Sequence, residues 1–186
     1  MIHPVCPVAR LRHPFPIFAT LTSPPVCKNC RMITIKRTDS THPDFISLVR
    51  LLDADLALRD GSEHSFYAAF NKIDTIRHCV VAYRNEIPVG CGAIKLWEPG
   101  SLEVKRMYTM PEQRGAGIAS AVLGELERWA RELGASACVL ETGKKQPEAI
   151  ALYRKNGYAQ IPNYGQYAGI ENSVCFEKRL DPAPTT

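Results

Sequence analysis

Apolar residues recur at helical spacing in three stretches after residue 40. The first predicts an amphipathic helix capped by Thr41, and its apolar stripe consists of Phe45, Leu48, Val49, Leu52 and Leu56. The second predicts a long helix over 115–133, which Gly134 is positioned to end. The third predicts a helix with Pro147 in its first turn that ends before Gly157.

Strand-like apolar runs alternate with these helices. They cover residues 32–37, 78–84, 87–97, 102–110, 137–141 and 173–180. The segment Arg84-Asn85-Glu86 between the second and third runs is short enough for a hairpin. A short helical piece is predicted over 63–71, after a break at Asp60-Gly61. Since no repeat or second boundary interrupts the pattern, it predicts a single α/β domain over 32–183.

Residues 1–31 contain six prolines and no periodic pattern, so we expect a disordered extension, with Met32 as the true start of translation or of the folded unit. Proline and histidine interrupt every apolar run there, which argues against a secretory signal. A zinc-dependent interaction module is the alternative, because this segment holds Cys27 and Cys30 in a C-x-x-C pair with Cys6, His3 and His13 upstream. A lone C-x-x-C pair is a weak signal, so we predict no metal site.

Composition and charge exclude several classes of protein. The chain of 186 residues is 45% hydrophobic and 23% charged, as in ordinary globular domains. Its net charge of +4 comes entirely from four basic residues in 1–31, so the remainder balances and shows no nucleic-acid footprint. No apolar stretch is long enough to span a membrane. An odd number of cysteines, seven, indicates reduced thiols, and we expect a cytoplasmic protein.

The segment 108–119 carries the candidate chemistry. It joins a strand to the first turn of the long helix through a glycine-containing loop, an arrangement that can bind phosphate through backbone N–H groups. It lacks the Gly-Lys-Ser/Thr of a nucleotide triphosphatase loop, and Ser120 stands where a dinucleotide fold requires a third glycine. A tight turn that binds nothing is the alternative interpretation.

Two motifs together resemble the GNAT N-acetyltransferases. Pro-Glu-Gln-Arg-Gly-Ala-Gly-Ile-Ala at 111–119 is similar to that family's acetyl-CoA pyrophosphate loop, Arg/Gln-x-x-Gly-x-Gly/Ala. Residues 146–158, Gln-Pro-Glu-Ala-Ile-Ala-Leu-Tyr-Arg-Lys-Asn-Gly-Tyr, resemble the family's Asn-x-x-Ala-x-x-Leu-Tyr-x-x-x-Gly-Phe, with Gln146 in place of asparagine. The resemblance extends over residues 32–180 and implies a GNAT acyl-CoA N-acyltransferase fold, a central mixed β-sheet flanked by helices.

The resemblance also implies an activity. The expected reaction is acetyl transfer from acetyl-CoA to the primary amine of a small-molecule or amino acid-like acceptor, by direct attack in a ternary complex. A protein N-terminus or lysine as acceptor, and a non-catalytic acyl-CoA-binding regulator, stay open as alternatives. A homodimer is also kept open.

Catalytic and cofactor-binding roles follow from the same resemblance. Tyr153 would donate a proton to the departing thiolate, or is simply a core aromatic residue. Glu103 would act as base directly or through water, or pairs with Lys105 on the same strand face. The expected cofactor-binding residues are Met107, Tyr108 and Thr109 for the pantetheine arm, Gln113, Arg114, Gly115, Ala116, Gly117, Ile118 and Ala119 in the pyrophosphate loop, and Gln146.

The acceptor site is less defined by the sequence. Asp53 and Asp55, at the end of the first helix, could hold an ammonium group, or are solvated helix residues. Arg106, expected on the strand face opposite Glu103, could bind a carboxylate together with Lys105. Met107 and Thr109 are expected on the face of Glu103. Tyr164 and Tyr167, expected as exposed residues of a glycine-containing loop, suit a substrate wall or an interface.

Overall fold

The computed structural model describes residues 32–60 and 76–180, and these residues form seven strands and three α-helices. The helices are α1 (Pro43–Asp60), α2 (Ile118–Glu132) and α3 (Pro147–Lys155). The strands are β1 (Ile33–Thr38), β2 (His78–Arg84), β3 (Ile87–Glu98), β4 (Ser101–Thr109), β5 (Ala137–Gly143), β6 (Ala159–Ile161) and β7 (Ser173–Arg179). The predicted helix at 63–71 and the C-x-x-C segment lie outside the described residues.

One mixed sheet holds all of these strands, in the order β1-β2-β3-β4-β5-β7-β6. β1 to β4 form an antiparallel meander, and β5, β7 and β6 are antiparallel to one another. The predicted β2–β3 hairpin turns at Asn85 and Glu86, whose φ angles of 51° and 65° are the left-handed values that a two-residue turn requires.

The parallel pair β4 and β5 separates soon after it begins. Residues Ser101–Glu103 pair with Ala137–Val139, after which β4 runs on to Thr109 and β5 to Gly143 without further pairing. The two strands therefore leave an opening in the middle of the sheet, at the end where the glycine-containing loop follows β4.

Helices cover both faces of the sheet. On one face α1 packs Phe45 and Leu48 against a cluster that includes Val81, Cys91 and Tyr108. The other face carries α2 and α3 in a larger core cluster, with Val104, Val122, Leu126, Tyr153 and Phe176 among its members. Within the described residues the free thiols are Cys79, Cys91, Cys138 and Cys175, and all four are buried.

The ends of the helices test the capping predictions. Gly134 ends α2 with a φ of 82° and an N–H that donates to the Arg131 carbonyl, which confirms its predicted role. The prediction that Thr41 caps α1 is wrong, because its N–H and hydroxyl both donate to Asp39. His42 serves instead, and its Nδ1 accepts the N–H of Asp44 at 3.2 Å. Strand β6 was not predicted, since its three residues are too few to show an alternation of apolar and polar positions.

In the part of the chain that the structure describes, no helix is long and apolar enough to cross a membrane.

Candidate active site

A β-bulge on β4 determines which side chains reach the opening. Lys105 pairs with Ala93 and Tyr108 pairs with Cys91, so two β4 residues, Arg106 and Met107, oppose the single residue Gly92. Arg106 adopts a φ of 58°, in the left-handed region that non-glycine residues rarely occupy. Such bulges are common beside active sites, where they redirect a side chain.

The bulge overturns three predictions of side-chain direction. Arg106 turns toward α1 and binds Asp53, which places it on the face of Glu103 and Lys105 and not on the opposite face. Met107 packs into the α2 cluster, and Thr109 lies beside Ile118 of α2, so neither shares the face of Glu103. The extra residue shifts the alternation by one position, which moves every later side chain of β4 to the other face.

A groove of about 290 Å³ lies between the end of β4, the glycine-containing loop and the first turns of α2 and α3. It brings together most of the predicted cofactor-binding residues, namely Met107, Tyr108, Thr109, Arg114, Gly115, Gly117, Ala119 and Gln146. Three others lie outside its lining: Gln113 bonds Arg84, Ala116 is exposed, and Ile118 is buried in the core. Their predicted contacts use backbone N–H groups, which the direction of a side chain does not decide.

The loop at the groove has the backbone geometry of an anion site. Gly115 and Gly117 have φ angles of 77° and 80°, and Gly117 directly precedes α2. The N–H groups of the first turn of a helix have no acceptor within it, and the positive end of the helix dipole lies there. A Cβ at either glycine would meet no protein atom within 4 Å. Glycine is therefore required at these positions by the left-handed backbone and not by crowding.

Ion pairs connect α1 to both sides of the groove. Asp55 lies 3.1 Å from the Arg59 Nε and 3.4 Å from an Arg114 nitrogen, while Arg59 also binds Glu148 of α3. The Nε of Arg114 donates to the Thr109 carbonyl at 3.2 Å. Asp55 consequently lines the large groove, already paired with two arginines.

A second, smaller cavity adjoins the groove. This acceptor cleft, as we call it, has a volume of about 90 Å³. Its lining consists of Leu52, Leu56, Val104, Lys105, Arg106, Met107, Glu141, Thr142, Gly143, Gln146, Tyr153 and Tyr167. Leu52, Met107, Gln146 and Tyr153 line both cavities, so the two meet at these four side chains.

Tyr153 is the ionisable side chain at this junction. Its side chain comes from α3 and is 5% exposed, with its ring packed near those of Tyr158 and Phe176. Burial raises the pKa of the Tyr153 hydroxyl, and the nearby Glu141 charge raises it further. The phenol therefore stays protonated across the physiological range, which is the state that a proton donor needs.

Glu103 is 1% exposed and lines neither cavity. Its Oε1 lies 3.1 Å from the Lys105 ammonium and accepts the Tyr164 hydroxyl at 3.1 Å, while its Oε2 is buried without a hydrogen-bond partner. Lys105 also donates to the Tyr167 hydroxyl at 3.0 Å. The structure thus joins Glu103, Lys105 and two tyrosines into one polar cluster.

Both tyrosines are less exposed than the sequence suggested. Tyr167 is 2% exposed, and the half-buried Tyr164 ring lies 4.7 Å from that of Trp97. The prediction of exposed residues is wrong, because the loop folds back over β4 and covers the Glu103 cluster. Burial is the main cause that raises the pKa of each hydroxyl.

Sequence reasoning missed Glu141, the carboxylate that does line the acceptor cleft. Its position carried a signal, since it is the single acidic residue of the apolar strand 137–141, just before the second motif. It lies on β5, across the opening from Lys105 and Arg106 on β4.

Known proteins share this architecture. A family model described as acetyltransferase (GNAT) family matches residues 45–158. The chain belongs to the GNAT acetyltransferase family. The predicted family, fold class and enzyme class, an N-acetyltransferase, are thereby confirmed.

Individual GNAT proteins match most of the chain. An IAA acetyltransferase of Azospirillum brasilense is 45% identical over 152 residues, which cover 80% of this chain and 98% of that protein. A Klebsiella pneumoniae protein, assigned to the acyl-CoA N-acyltransferases, has a solved structure that is 35% identical with a TM-score of 0.68, covering 81% and 99% of the two chains. A GNAT acetyltransferase of Elizabethkingia anophelis, solved with acetyl-CoA bound, is 19% identical with a TM-score of 0.58, covering 80% and 98%.

The departure from the GNAT pattern at Gln146 leaves an amide at the site. Gln146 immediately precedes α3, its N–H donates to the Gly143 carbonyl at 3.0 Å, and its side chain lines both cavities.

Among residues 32–60 and 76–180, no three histidine, cysteine or acidic side chains are grouped to hold a metal ion.

Proposed function

We propose that this GNAT protein transfers an acetyl group from acetyl-CoA to the primary amine of a small molecule, by direct attack in a ternary complex. The observation that carries the proposal is the meeting of a large groove and a small cleft at Tyr153. One cavity takes the donor and the other the acceptor, and the reacting atoms come together at the shared wall. Residues 32–183 form the catalytic domain, and its buried reduced thiols suit the cytoplasm.

The groove fits the donor in charge and backbone geometry. Acetyl-CoA supplies an activated thioester when bound. The backbone from Gln113 to Ala119 holds its pyrophosphate through N–H groups, with Arg114 adding charge. Met107, Tyr108 and Thr109 offer main-chain groups that β5 leaves unpaired, and these bind the extended pantetheine arm.

Tyr153 donates the proton that the leaving thiolate requires. Its position at the junction of the two cavities supports this role. An N–H of the Met107–Thr109 segment polarises the thioester carbonyl, as in other oxyanion sites.

Glu103 acts as the base that removes the amine proton through water, since it does not line the cleft itself. Glu141 is the second candidate for this role, and one specific observation favours it, because its side chain borders the acceptor cleft directly. The variants Glu103→Gln and Glu141→Gln separate the two candidates. In the variant that lacks the true base, turnover no longer depends on the ionisation of that base.

The size of the acceptor cleft favours a small acceptor over a protein chain. It measures about 90 Å³, and its lining includes Leu52 and Leu56 of α1 and Tyr167. An acyl-CoA-binding regulator would have no need of a buried, protonated tyrosine at the junction.

Calorimetric titration with acetyl-CoA, followed by thiol release across a panel of amines, tests the proposal. Binding with amine-dependent thiol release is the expected result. Binding with no release from any amine would favour the regulator, and a failure to bind acetyl-CoA would overturn the assignment of the groove.

A further inference from the structure

We infer that the acceptor carries an oxyanion, a carboxylate or a phosphonate, close to its amine, and that Arg106 binds this group in the acceptor cleft. The inference rests on the proposed function and specifies its substrate class. It begins from a buried guanidinium whose hydrogen-bonding capacity the protein does not use up.

Arg106 lines the cleft and is 5% exposed. One of its terminal nitrogens binds Asp53, a half-exposed side chain of α1. Its Nε is buried with no hydrogen-bond partner among the described residues. A donor on a buried cation is costly to leave unmatched, so an acceptor from a ligand or a water molecule is expected near this guanidinium, and its planar terminal nitrogens fit an oxyanion.

The neighbouring charges point to the same ligand. Lys105 adds a second positive charge to the β4 wall, although Glu103 and the Tyr167 hydroxyl already engage its ammonium. On the β5 wall the charged residue is Glu141. A cationic wall facing an acidic one suits a ligand with an oxyanion at one end and an amine at the other.

The dimensions of the cleft limit the distance between those two groups. The cleft, at about 90 Å³, is small beside the adjoining groove of about 290 Å³. A short acceptor, with its oxyanion close to its amine, suits this space better than a long one. The apolar side chains of Leu52, Leu56 and Met107 complete the lining around the carbons.

The backbone of β4 is shaped for this orientation. Without the bulge, strand alternation would turn Arg106 to the α2 face of the sheet, away from Asp53. A left-handed φ at an arginine is unfavourable, and such conformations concentrate at ligand sites.

Matched acceptor pairs test the inference on the unmodified protein. Each of the twenty amino acids and a series of aminoalkylphosphonates is compared with the amine that lacks the oxyanion, by thiol release from acetyl-CoA. We expect kcat/KM to be at least about 10-fold higher for the oxyanion-bearing member of the preferred pair. Equal or higher values for the uncharged amines would overturn the inference and leave the proposed function standing. Absence of thiol release from every amine would instead count against the transferase itself.

Variants identify the residue responsible. We expect Arg106→Gln to raise KM for the preferred acceptor about 10- to 100-fold while leaving KM for its uncharged counterpart unchanged. Arg37→Gln is the matched control, because Arg37 is likewise an ion-paired arginine but lines neither cavity, and it should leave the same KM unchanged. An unchanged KM in Arg106→Gln, with acetyl-CoA affinity retained as proof of folding, would overturn the assignment. If Arg106→Gln does not fold, Arg106→Lys replaces it, because lysine keeps the charge beside Asp53 but lacks the planar fork, and an unchanged KM in that variant overturns the assignment.

Discussion

The carboxylate of Glu103 lies 3.1 Å from the ammonium of Lys105, and the two side chains are 1% and 8% exposed. Removing one partner of a buried ion pair leaves the other charge uncompensated, at a cost of about 3–5 kcal/mol. We therefore expect Glu103→Gln to lower the free energy of unfolding by an amount of this order, measured by urea denaturation.

A double variant separates this structural role from catalysis. Glu103→Gln combined with Lys105→Met removes both charges and should recover most of the lost stability. If Glu103 is the base, turnover in the double variant stays well below that of Lys105→Met alone although the fold is restored, because Lys105 itself lines the cleft. Turnover that recovers together with stability would show that the glutamate only stabilises the strand.

Tyr153→Phe removes the hydroxyl at the junction of the two cavities. We expect kcat to fall about 10²- to 10⁴-fold, the usual contribution of a positioned proton donor, while the Kd for acetyl-CoA changes little. Thiol-release kinetics and calorimetry provide the two measurements. The matched control is Tyr158→Phe, a buried tyrosine whose ring packs beside Tyr153 and which lines neither cavity. Equal losses in both variants would contradict the assignment.

Gly117→Ala tests the left-handed backbone at the start of α2. Because a Cβ there meets open space, the cost is conformational and amounts to about 1–2 kcal/mol. We expect both a lower free energy of unfolding and weaker acetyl-CoA binding, because relaxation of the strain moves the loop N–H groups. Gly124→Ala, in the interior of the same helix and equally free of neighbours, should instead raise stability by about 0.5–1 kcal/mol. Unaltered affinity in Gly117→Ala would mean that the loop does not hold the phosphates.

Thiol reagents should find few targets in the native protein. Four of the seven cysteines are buried in the core, and burial raises the pKa of Cys79 and of Cys138 to about 12. The thiolate is the reactive form, so we expect no more than three cysteines to react rapidly at pH 8, compared with seven after denaturation. Mass spectrometry of the alkylated protein counts them, and rapid labelling of Cys138 would contradict the described core.

Stability should decline in alkaline solution. Burial raises the pKa of Tyr83 to about 12, as it does for Cys79 and Cys138, whereas the unfolded groups ionise near 10 and 9. Above pH 9 the unfolded chain thus loses protons that the folded chain keeps, and the stabilisation present below that pH is lost as pH rises toward 12. Thermal unfolding at pH 8, 9.5 and 10.5 should give a falling Tm. A constant Tm over this range would contradict the burial of these groups.

Periodicity carried most of the fold prediction. The stripe from Phe45 to Leu56 and the run ended by Gly134 each contain enough turns for their apolar faces to be recognised, and both are helices. The cap of α1 was misjudged because Asp39 competes for Thr41, a local hydrogen bond that residue type alone does not reveal.

The site was predictable where it depends on local motifs. Gly115, Gly117 and Tyr153 lie where the two motifs implied, along the groove. The direction of Arg106 was not predictable, because a bulge depends on how β3 and β4 pair and alternation counts assume that none occurs. Glu141 was missed for a related reason, since its place in the lining of the same cleft as Arg106 depends on how β4 and β5 pair and separate.

That divergence divides the sheet into two blocks, β1 to β4 and β5 to β7, joined through three residue pairs. A molecule that lies between them, hydrogen-bonded to β4 and in contact with α3, connects the two blocks beyond these three pairs. Acetyl-CoA would then stiffen parts of the domain that it never touches. Slower amide hydrogen exchange should extend to β6 and β7 at the far edge of the sheet. Binding of the donor would then stabilise the whole sheet in addition to supplying the acetyl group.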